Sequence, residues 1–185
     1  MALRAGTRED TSGRRPRVAG SSFLDPTASV IGNVVIGDEV FVGPGAVIRA
    51  DEPGSTIVIS DRCNVQDRVI IHALEGTTVT VGPETSLAHG CIVHGPCEIG
   101  AGCFVGFGSV VFKASLGDGT VVGHLAVVEG VEIGAGRRVG SGCVIDSPKA
   151  VRQLGVCGEE ETEFAGKVVA MNLLLLRGYR DMAGG

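Results

Sequence analysis

Aliphatic residues recur every six positions along most of the chain, and this spacing is the strongest signal in the sequence. The first run of these anchor residues is Leu24, Val30, Ile36, Val42 and Ile48. Later runs come in threes: Ile59, Val65 and Ile71; Val81, Leu87 and Val93; Ile99, Val105 and Val111; Leu116, Val122 and Val128; Ile133, Val139 and Ile145. The residue after an anchor is often Gly, and the fourth residue after it is small or β-branched. A fixed short period of this kind predicts a repeat architecture over residues 18–147.

Every irregular step in the period falls after a completed set of three hexads. Residues are inserted at two of these breaks, 48–59 and 71–81, and one residue is missing at two others, 111–116 and 128–133. A coil with three short faces accounts for this regularity, because the extra residues then leave as loops from one corner. Successive coils would stack their faces as parallel strands. The pattern therefore predicts an all-β solenoid.

The hexad pattern ends at Ser147, and a helical pattern follows it. Four of the residues 159–163 are glutamates, and apolar residues then recur at helical spacing, at Phe164, Val168, Met171, Leu174 and Leu175. Arg177 and Gly178 provide a basic last turn and a stop. We expect a linker at 148–158 and one α-helix at 159–180, with its apolar stripe packed along the solenoid.

The N-terminal segment differs from the rest of the chain in its charge. Residues 1–17 contain five arginines (Arg4, Arg8, Arg14, Arg15 and Arg17) and no apolar core of a secretory signal. We expect a flexible basic tail at 1–17. The net charge of all 185 residues is −5, and the acidic remainder offers no basic stripe for a nucleic-acid partner. No apolar run approaches the ~18 residues of a membrane helix, so we expect no membrane partner.

Five of the six cysteines fall at the small position four residues after an anchor: Cys63, Cys91, Cys97, Cys103 and Cys143. At this position they are expected to be compact buried hydrophobic residues. None belongs to a C-x-x-C pair, which argues against a thiolate zinc site or a redox pair. A reduced, cytoplasmic protein is the simplest interpretation.

Three of the four histidines can be placed by the period. His72 and His94 each follow an anchor directly on the same face of successive coils, so they should stack about 4.8 Å apart in one outward column. Arg49 occupies that column one coil earlier. His89 lies on another face, in a column with Asp67.

Within one subunit, three imidazoles on two faces of a prism are too far apart to bind the same metal ion. A cyclic trimer removes this difficulty, because the His72/His94 column of one subunit can face the His89 column of the next. Such a site has an open fourth position, as catalytic zinc sites do. His124 lies two coils from His89, roughly 10 Å away, and is interpreted as a bystander. The alternative is that the histidines are ordinary surface residues.

The polar residues around these histidines resemble those of the γ-class carbonic anhydrases. The resemblance rests on Arg49-Ala-Asp51-Glu52, Asn64-Val-Gln66-Asp67, His72-Ala-Leu-Glu75 and His89-x4-His94-Gly-Pro, and it continues into Val111-Phe-Lys, Asn172 and Gly178-Tyr179. Within that family it is strongest to the archaeal prototype group and to the carboxysomal anhydrase-like domain. It implies a left-handed parallel β-helix of hexapeptide repeats with a C-terminal helix alongside. This handedness is an exception to the usual crossover rule.

The resemblance implies a homotrimer that hydrates CO2 reversibly to bicarbonate, by attack of metal-bound hydroxide at each subunit boundary. His72, His89 and His94 would hold the ion, which is Zn²⁺ with Fe²⁺ or Co²⁺ as alternatives. Gln66 would hydrogen-bond the hydroxide or the product.

Other matching residues would assist the reaction. Asn64 and Asn172 would help to orient CO2 or bicarbonate, although Asn172 could instead simply bond the helix to the coil. Glu52 and Glu75 would assist proton transfer, with Glu75 as the proton shuttle. In the prototype enzymes the shuttle lies on a long acidic loop, whereas here only residues 76–80 follow Glu75 before the next strand.

A last group of residues concerns the subunit boundary. Arg49, Asp51 and Asp67 match residues that pair across subunits and support the site, although a plain surface ion pair is the alternative. Phe107 and Phe112 lie on the two histidine columns, one coil further along. They would form an apolar wall for CO2, or serve interface packing alone.

Two other functions remain open from the sequence. A hexapeptide acyltransferase would share the fold, but such enzymes typically rely on one basic His and need no stoichiometric metal. A non-catalytic scaffold or assembly subunit that keeps the metal site is the second alternative, because many γ-class relatives show no hydratase activity.

Overall fold

In the computed structural model, which describes residues 6–184 and their side chains to residue 182, the chain winds into a three-sided prism. Sheet A contains β1 (Thr7–Arg8), β4 (Ser29–Gly32), β7 (Val47–Ala50), β10 (Ile70–His72), β13 (Ile92–His94), β16 (Val110–Phe112), β19 (Val127–Glu129) and β22 (Val144–Ile145). Sheet B contains β2 (Arg17–Val18), β5 (Val34–Ile36), β8 (Thr56–Ile59), β11 (Thr78–Val81), β14 (Cys97–Ile99), β17 (Ser115–Leu116) and β20 (Glu132–Ile133). Sheet C contains β3 (Phe23–Leu24), β6 (Phe41–Val42), β9 (Asn64–Val65), β12 (Ser86–Leu87), β15 (Phe104–Val105), β18 (Val121–Val122), β21 (Arg137–Val139) and β23 (Gly155–Val156).

The anchor residues form the core by stacking on one another inside the prism. On sheet A, parallel pairing sets Ile48 opposite Ile71, Ile71 opposite Val93 and Val93 opposite Val111, and all four are fully buried. Full burial of each such side chain contributes about 1.5–3 kcal/mol. The predicted solenoid of hexapeptide repeats is therefore confirmed.

Sheet A differs from the other two sheets at the position directly after the anchor. On sheet C this position approaches the next coil closely: a Cβ on Gly106 would lie 2.6 Å from the carbonyl carbon of Gly123. On sheet A the strands extend through that position, so that β10 and β13 end in His72 and His94. Large side chains therefore form an outward ladder at this position of sheet A.

The N-terminal segment is not the flexible tail that its charge suggested. Residues 1–5 lie outside the described part, but β1 pairs with β4 and β2 pairs with β5, which makes residues 7–18 the first coil. Between these strands Asp10 is buried and its Oδ2 lies 2.6 Å from Arg14 Nε. The segment orders because it covers the otherwise open edges of the sheets.

The C-terminal part begins with two short elements in the expected linker. Helix α1 (Pro148–Arg152) is capped by Ser147, and β23 pairs antiparallel with β21. Helix α2 (Glu159–Gly184) then runs along sheet C, and the ring of Tyr179 stacks 5.0 Å from that of Phe23. Within residues 6–184 no helix has the length and apolar character needed to cross a membrane.

The face that α2 buries is not the predicted stripe. The buried positions are Ala165, Val169, Asn172, Leu173 and Leu176. Of the predicted stripe, Val168 packs partly on the solenoid, and the ring of Phe164 lies 5.2 Å from that of Phe104 on sheet C. Phe164, Met171, Leu174 and Leu175 are nevertheless 48%, 55%, 62% and 43% exposed. The expectation was wrong because the helix is apolar on two sides, and spacing alone does not say which side is covered.

The cysteines follow the expected inward positions with one exception. Cys63, Cys91, Cys97 and Cys103 are buried, and burial raises the pKa of the Cys63 and Cys91 thiols to about 12. Cys143 is exposed, because it belongs to the last coil and no further coil covers it. All six cysteines are free thiols.

Candidate metal site

Two histidines face each other on sheet A, as their register predicted. His72 pairs with His94 across β10 and β13, and their ring centroids lie 4.8 Å apart. Nδ1 of His72 lies 3.0 Å from Nε2 of His94. Two nitrogen lone pairs at this distance would repel each other, so either a shared proton or a shared cation must lie between them.

The other nitrogen of His72 faces charged groups. Its Nε2 lies 3.3 Å from Oε1 of Glu52, 3.8 Å from Oδ1 of Asp51 and 3.3 Å from Nη2 of Arg49. Burial, then the Arg49 guanidinium and the neighbouring His94, hold the pKa of His72 below its usual value, against the opposite pull of Glu52 and Asp51. The neutral imidazole favoured in this way is the form that binds metal ions.

His89 lies two residues after the end of β12 in sheet C, and its side chain is 53% exposed. Its Nδ1 lies 3.3 Å from Oδ2 of Asp67, and its backbone N–H donates to Oε1 of Gln66 at 3.3 Å. A carboxylate that accepts the Nδ1 proton fixes the tautomer and leaves the Nε2 lone pair free, as is usual for metal-binding histidines.

These donors fit a metal ion when two chains supply them. Two imidazole nitrogens bound tetrahedrally at 2.0–2.1 Å lie ~3.3 Å apart, close to the 3.0 Å between His72 and His94. Within the described residues, the contacts of the His89 ring are with Asp67 and Phe107, and its backbone bonds to Gln66 and Gly108. None of these contacts joins His89 to the other two histidines. Within the described part of one chain, no three His, Cys, Asp or Glu residues are arranged to hold a metal. A metal site with three imidazoles would therefore need a second copy of the chain.

The predicted substrate-orienting residues are all buried. Asn64 is 1% exposed and Gln66 is 7% exposed, both at the end of β9 next to the His89 column. Nδ2 of Asn64 donates to Ser86 at 3.4 Å, and its Oδ1 has no hydrogen-bond partner in the described residues. Nδ2 of Asn172 donates to the carbonyl of Val168 at 2.9 Å, so its recorded bond stays within α2 and does not reach the coil.

The two glutamates expected to move protons differ in their contacts. Glu52 contacts His72 through Oε1, and its Oε2 accepts the backbone N–H of Glu75 at 2.6 Å. The carboxylate of Glu75 is exposed and has no hydrogen bond or ion pair within the described part of the chain. The structure therefore brings Glu52, but not the carboxylate of Glu75, to the histidines.

The remaining charged residues pair within one chain. Nε of Arg49 lies 3.4 Å from Oδ1 of Asp51, and Asp67 contacts His89. The expected pairing of these residues across subunits stays a prediction. The contact that sequence reasoning missed is Arg14, whose Nη2 donates to the carbonyl of Glu52 at 2.8 Å. Arg14 lies outside the hexads, so the period carried no signal for it.

Aromatic residues continue both histidine columns. The ring of Phe112 lies 5.4 Å from His94, and the ring of Phe107 lies 5.4 Å from His89 and 4.3 Å from His124. Nδ1 of His124 accepts the backbone N–H of Phe107 at 3.1 Å. One nitrogen of His124 is therefore engaged by the protein itself.

Comparison with known proteins gives a matching repeat signature, two similar sequences and a similar solved structure. The repeat signature described as "Bacterial transferase hexapeptide (six repeats)" matches residues 16–50. Over 187 residues the chain is 35% identical to the carbonic anhydrase of Methanosarcina thermophila, covering 90% of this chain and 75% of that protein. Over 169 residues it is 35% identical to the carboxysome assembly protein CcmM of Nostoc sp., covering 86% of this chain.

The chain spans only 30% of the length of the Nostoc protein. Among solved structures, a hexapeptide transferase family protein from Anaplasma phagocytophilum superposes with a TM-score of 0.81 and 25% identity, covering 96% of this chain and 99% of that one. This superposition supports the same fold.

In the metal-free protein we expect His72 to titrate below the ordinary range of histidine. Arg49→Gln should raise the pKa of His72, because the nearby guanidinium disfavours the charged ring, and Glu52→Gln should lower it further, because the carboxylate favours that ring. NMR titration of the imidazole carbon-bound protons measures both shifts. An ordinary His72 pKa that neither substitution moves would contradict this description of the site.

Proposed function

Because the chain belongs to the γ-class carbonic anhydrase family of hexapeptide-repeat proteins, we propose that it catalyses the reversible hydration of CO2 to bicarbonate. The site would be a metal ion held by His72 and His94 of one subunit and His89 of the next. The observation that carries the proposal is the pair of imidazole nitrogens 3.0 Å apart on sheet A, together with a carboxylate-oriented His89 on sheet C.

The proposed assembly is a homotrimer. Sheets A and C are different faces of one prism, and a cyclic arrangement lets sheet A of each subunit face sheet C of the next, which makes identical sites. The half-exposed His89 supports this arrangement, because Asp67 orients its ring and yet the described residues of its own chain give it no partner for binding a metal. The exposed apolar residues of α2 also support a further protein contact beside sheet C.

The proposed ion is Zn²⁺, and Fe²⁺ or Co²⁺ would suit the same three imidazoles. When bound, the ion would lower the pKa of water at the open position, so that hydroxide is available near neutral pH. Glu52 and Asp67 would orient His72 and His89 through their second ring nitrogens. Arg49 and Asp51, which pair in one chain, would lie at the subunit boundary.

Residues beside the ion would bind the substrate. Gln66 would hydrogen-bond the attacking oxygen or bicarbonate, and Asn64, whose Oδ1 is unpartnered in the described residues, would help to orient it. Asn172 would act from α2. Phe107 and Phe112, one coil further along, would keep water away from CO2.

A metal-holding assembly subunit without hydratase activity is the second candidate. It is favoured by the 35% identity to CcmM, which is described as a carboxysome assembly protein, and by the free carboxylate of Glu75 on its short loop. An acyltransferase would need neither the three imidazoles nor their carboxylates. We further propose a reducing, cytoplasmic setting, which the six free thiols support.

Replacing His89 should abolish activity without unfolding the chain, because its side chain lies at the surface of the prism. We expect His89→Ala to lose stoichiometric metal and to hydrate CO2 near the uncatalysed rate, whereas His124→Ala keeps both. Stopped-flow hydration of anaerobically prepared, metal-defined protein and elemental analysis provide the measurements. Equal losses in the two variants would contradict the assignment, and a fully metallated wild type without hydration would favour the assembly subunit.

Proton release gives a separate test of Glu75. If its exposed carboxylate passes the proton to buffer, Glu75→Ala should lower kcat several-fold in weak buffer, while kcat/KM for CO2 changes little. High imidazole concentrations should restore part of kcat. A turnover that does not depend on buffer concentration in either protein would remove Glu75 from the mechanism.

A further inference from the structure

The N-terminal coil reaches the loop that carries Glu52 through one side chain, that of Arg14. Its Nη2 donates to the carbonyl oxygen of Glu52 at 2.8 Å, and its Nη1 donates to the carbonyl oxygen of Ser55 at 3.3 Å. The planar guanidinium therefore holds both ends of the turn 52–55. Only arginine offers two donors in this fixed geometry.

Asp10 holds Arg14 in place from the other side. The Asp10 side chain has no exposed surface, and its Oδ2 accepts from Nε of Arg14 at 2.6 Å. Its Oδ1 accepts the backbone N–H groups of Ser12 at 2.8 Å and of Arg14 at 3.0 Å. A buried charged pair with these hydrogen bonds fixes one side-chain geometry, whatever it contributes to stability.

The turn held by Arg14 presents Glu52 to the histidine. The Glu52 carbonyl also accepts the N–H and the Oγ–H of Ser55, at 3.1 and 2.6 Å, which closes the turn. On the same residue, the carboxylate contacts Nε2 of His72 and the N–H of Glu75. A continuous chain of contacts thus leads from Asp10 through Arg14 and Glu52 to His72.

We propose that Arg14, oriented by Asp10, is a positioning residue that fixes the Glu52 turn and thereby orients His72 for metal binding. The metal-binding part of this proposal rests on the proposed function. Residues 53 and 54 are exposed, and apart from bonds within the turn, the recorded side-chain donors to its backbone come from Arg14 and Asn33. The backbone N–H of Gly76 also donates to the carbonyl of Pro53 at 2.9 Å, so the middle of the turn stays attached without Arg14. The Glu52 end would lose its charged donor, and the carboxylate would spend less time at Nε2 of His72.

A purely structural role is the competing explanation, in which Arg14 only closes the first coil. The two roles predict different hydrogen exchange at the backbone N–H of Glu75. This N–H donates to Oε2 of Glu52 and lies far from the first coil in sequence. Its hydrogen exchange in the metal-free protein reports how firmly the Glu52 carboxylate is held. A role confined to the first coil would leave this amide unchanged.

The experiment uses the full chain in four forms: wild type, Arg14→Gln, Glu52→Ala as the reference for a lost carboxylate, and Arg15→Gln as the matched control. Arg15 lies on the same segment, but its ion pair with Glu9 is exposed. If Arg14→Gln does not fold with Asp10 left unpaired, the double variant Asp10→Asn/Arg14→Gln replaces it. Amide exchange and Co²⁺ affinity, from visible absorption with a competing chelator, are measured on each form.

We expect the Glu75 amide of Arg14→Gln to exchange at least about tenfold faster, as in Glu52→Ala. Its Co²⁺ affinity should fall about tenfold, the lower end for losing a residue that orients a metal ligand. Arg15→Gln should match the wild type in both.

An unchanged Glu75 amide in a folded Arg14 variant would overturn the proposal. So would a faster amide with unaltered Co²⁺ affinity, because the turn would then not orient His72 for metal binding. A wild type that binds no Co²⁺ would instead defeat the proposed function. The amide exchange would then decide by itself whether Arg14 positions Glu52.

Discussion

In-register stacking of parallel strands is the constraint on which the rest of the structure depends. Each anchor packs on the anchors of the coils before and after it, as Ile71 does between Ile48 and Val93. A shift of one residue would expose the anchors and turn the outward side chains inward. The same register that builds the core therefore fixes which polar residues lie beside each other at the surface, and it sets His72 against His94.

The period predicted this part of the site well. Because Ile71 and Val93 are anchors, the residues that follow them were expected to form one outward column. In the structure His72 and His94 do pair in register. The period failed where the chain leaves it. The first coil has strands of two residues, and its buried Asp10 and partly buried Arg14 look like tail charges in the sequence. Only tertiary contacts show that they are ordered.

The helix and the loop show the same limit. Helical spacing identified α2, but two apolar sides fitted the pattern, and packing on sheet C covered the one that contains Val169 and Leu176. For Glu52 the sequence indicated a corner loop near the histidines. It did not show that the carboxylate contacts Nε2 of His72, since the position of a loop depends on what holds it. The two histidines of the column also differ in what holds their second ring nitrogen. Nε2 of His72 contacts Glu52, whereas Nδ1 of His94 is buried without a hydrogen-bond partner in the described residues.

The central claim is that each site takes two imidazoles from one subunit and one from the next. Co-refolding equal amounts of His72→Ala and His89→Ala chains tests it directly, because neither variant alone has a complete site. Random assembly of the two chains into trimers gives a boundary between an intact His72/His94 column and an intact His89 at about a quarter of all positions. We predict recovery of metal binding and CO2 hydration to about that fraction of the wild-type level. Mixed trimers without any recovery, although the chains exchange, would contradict the account.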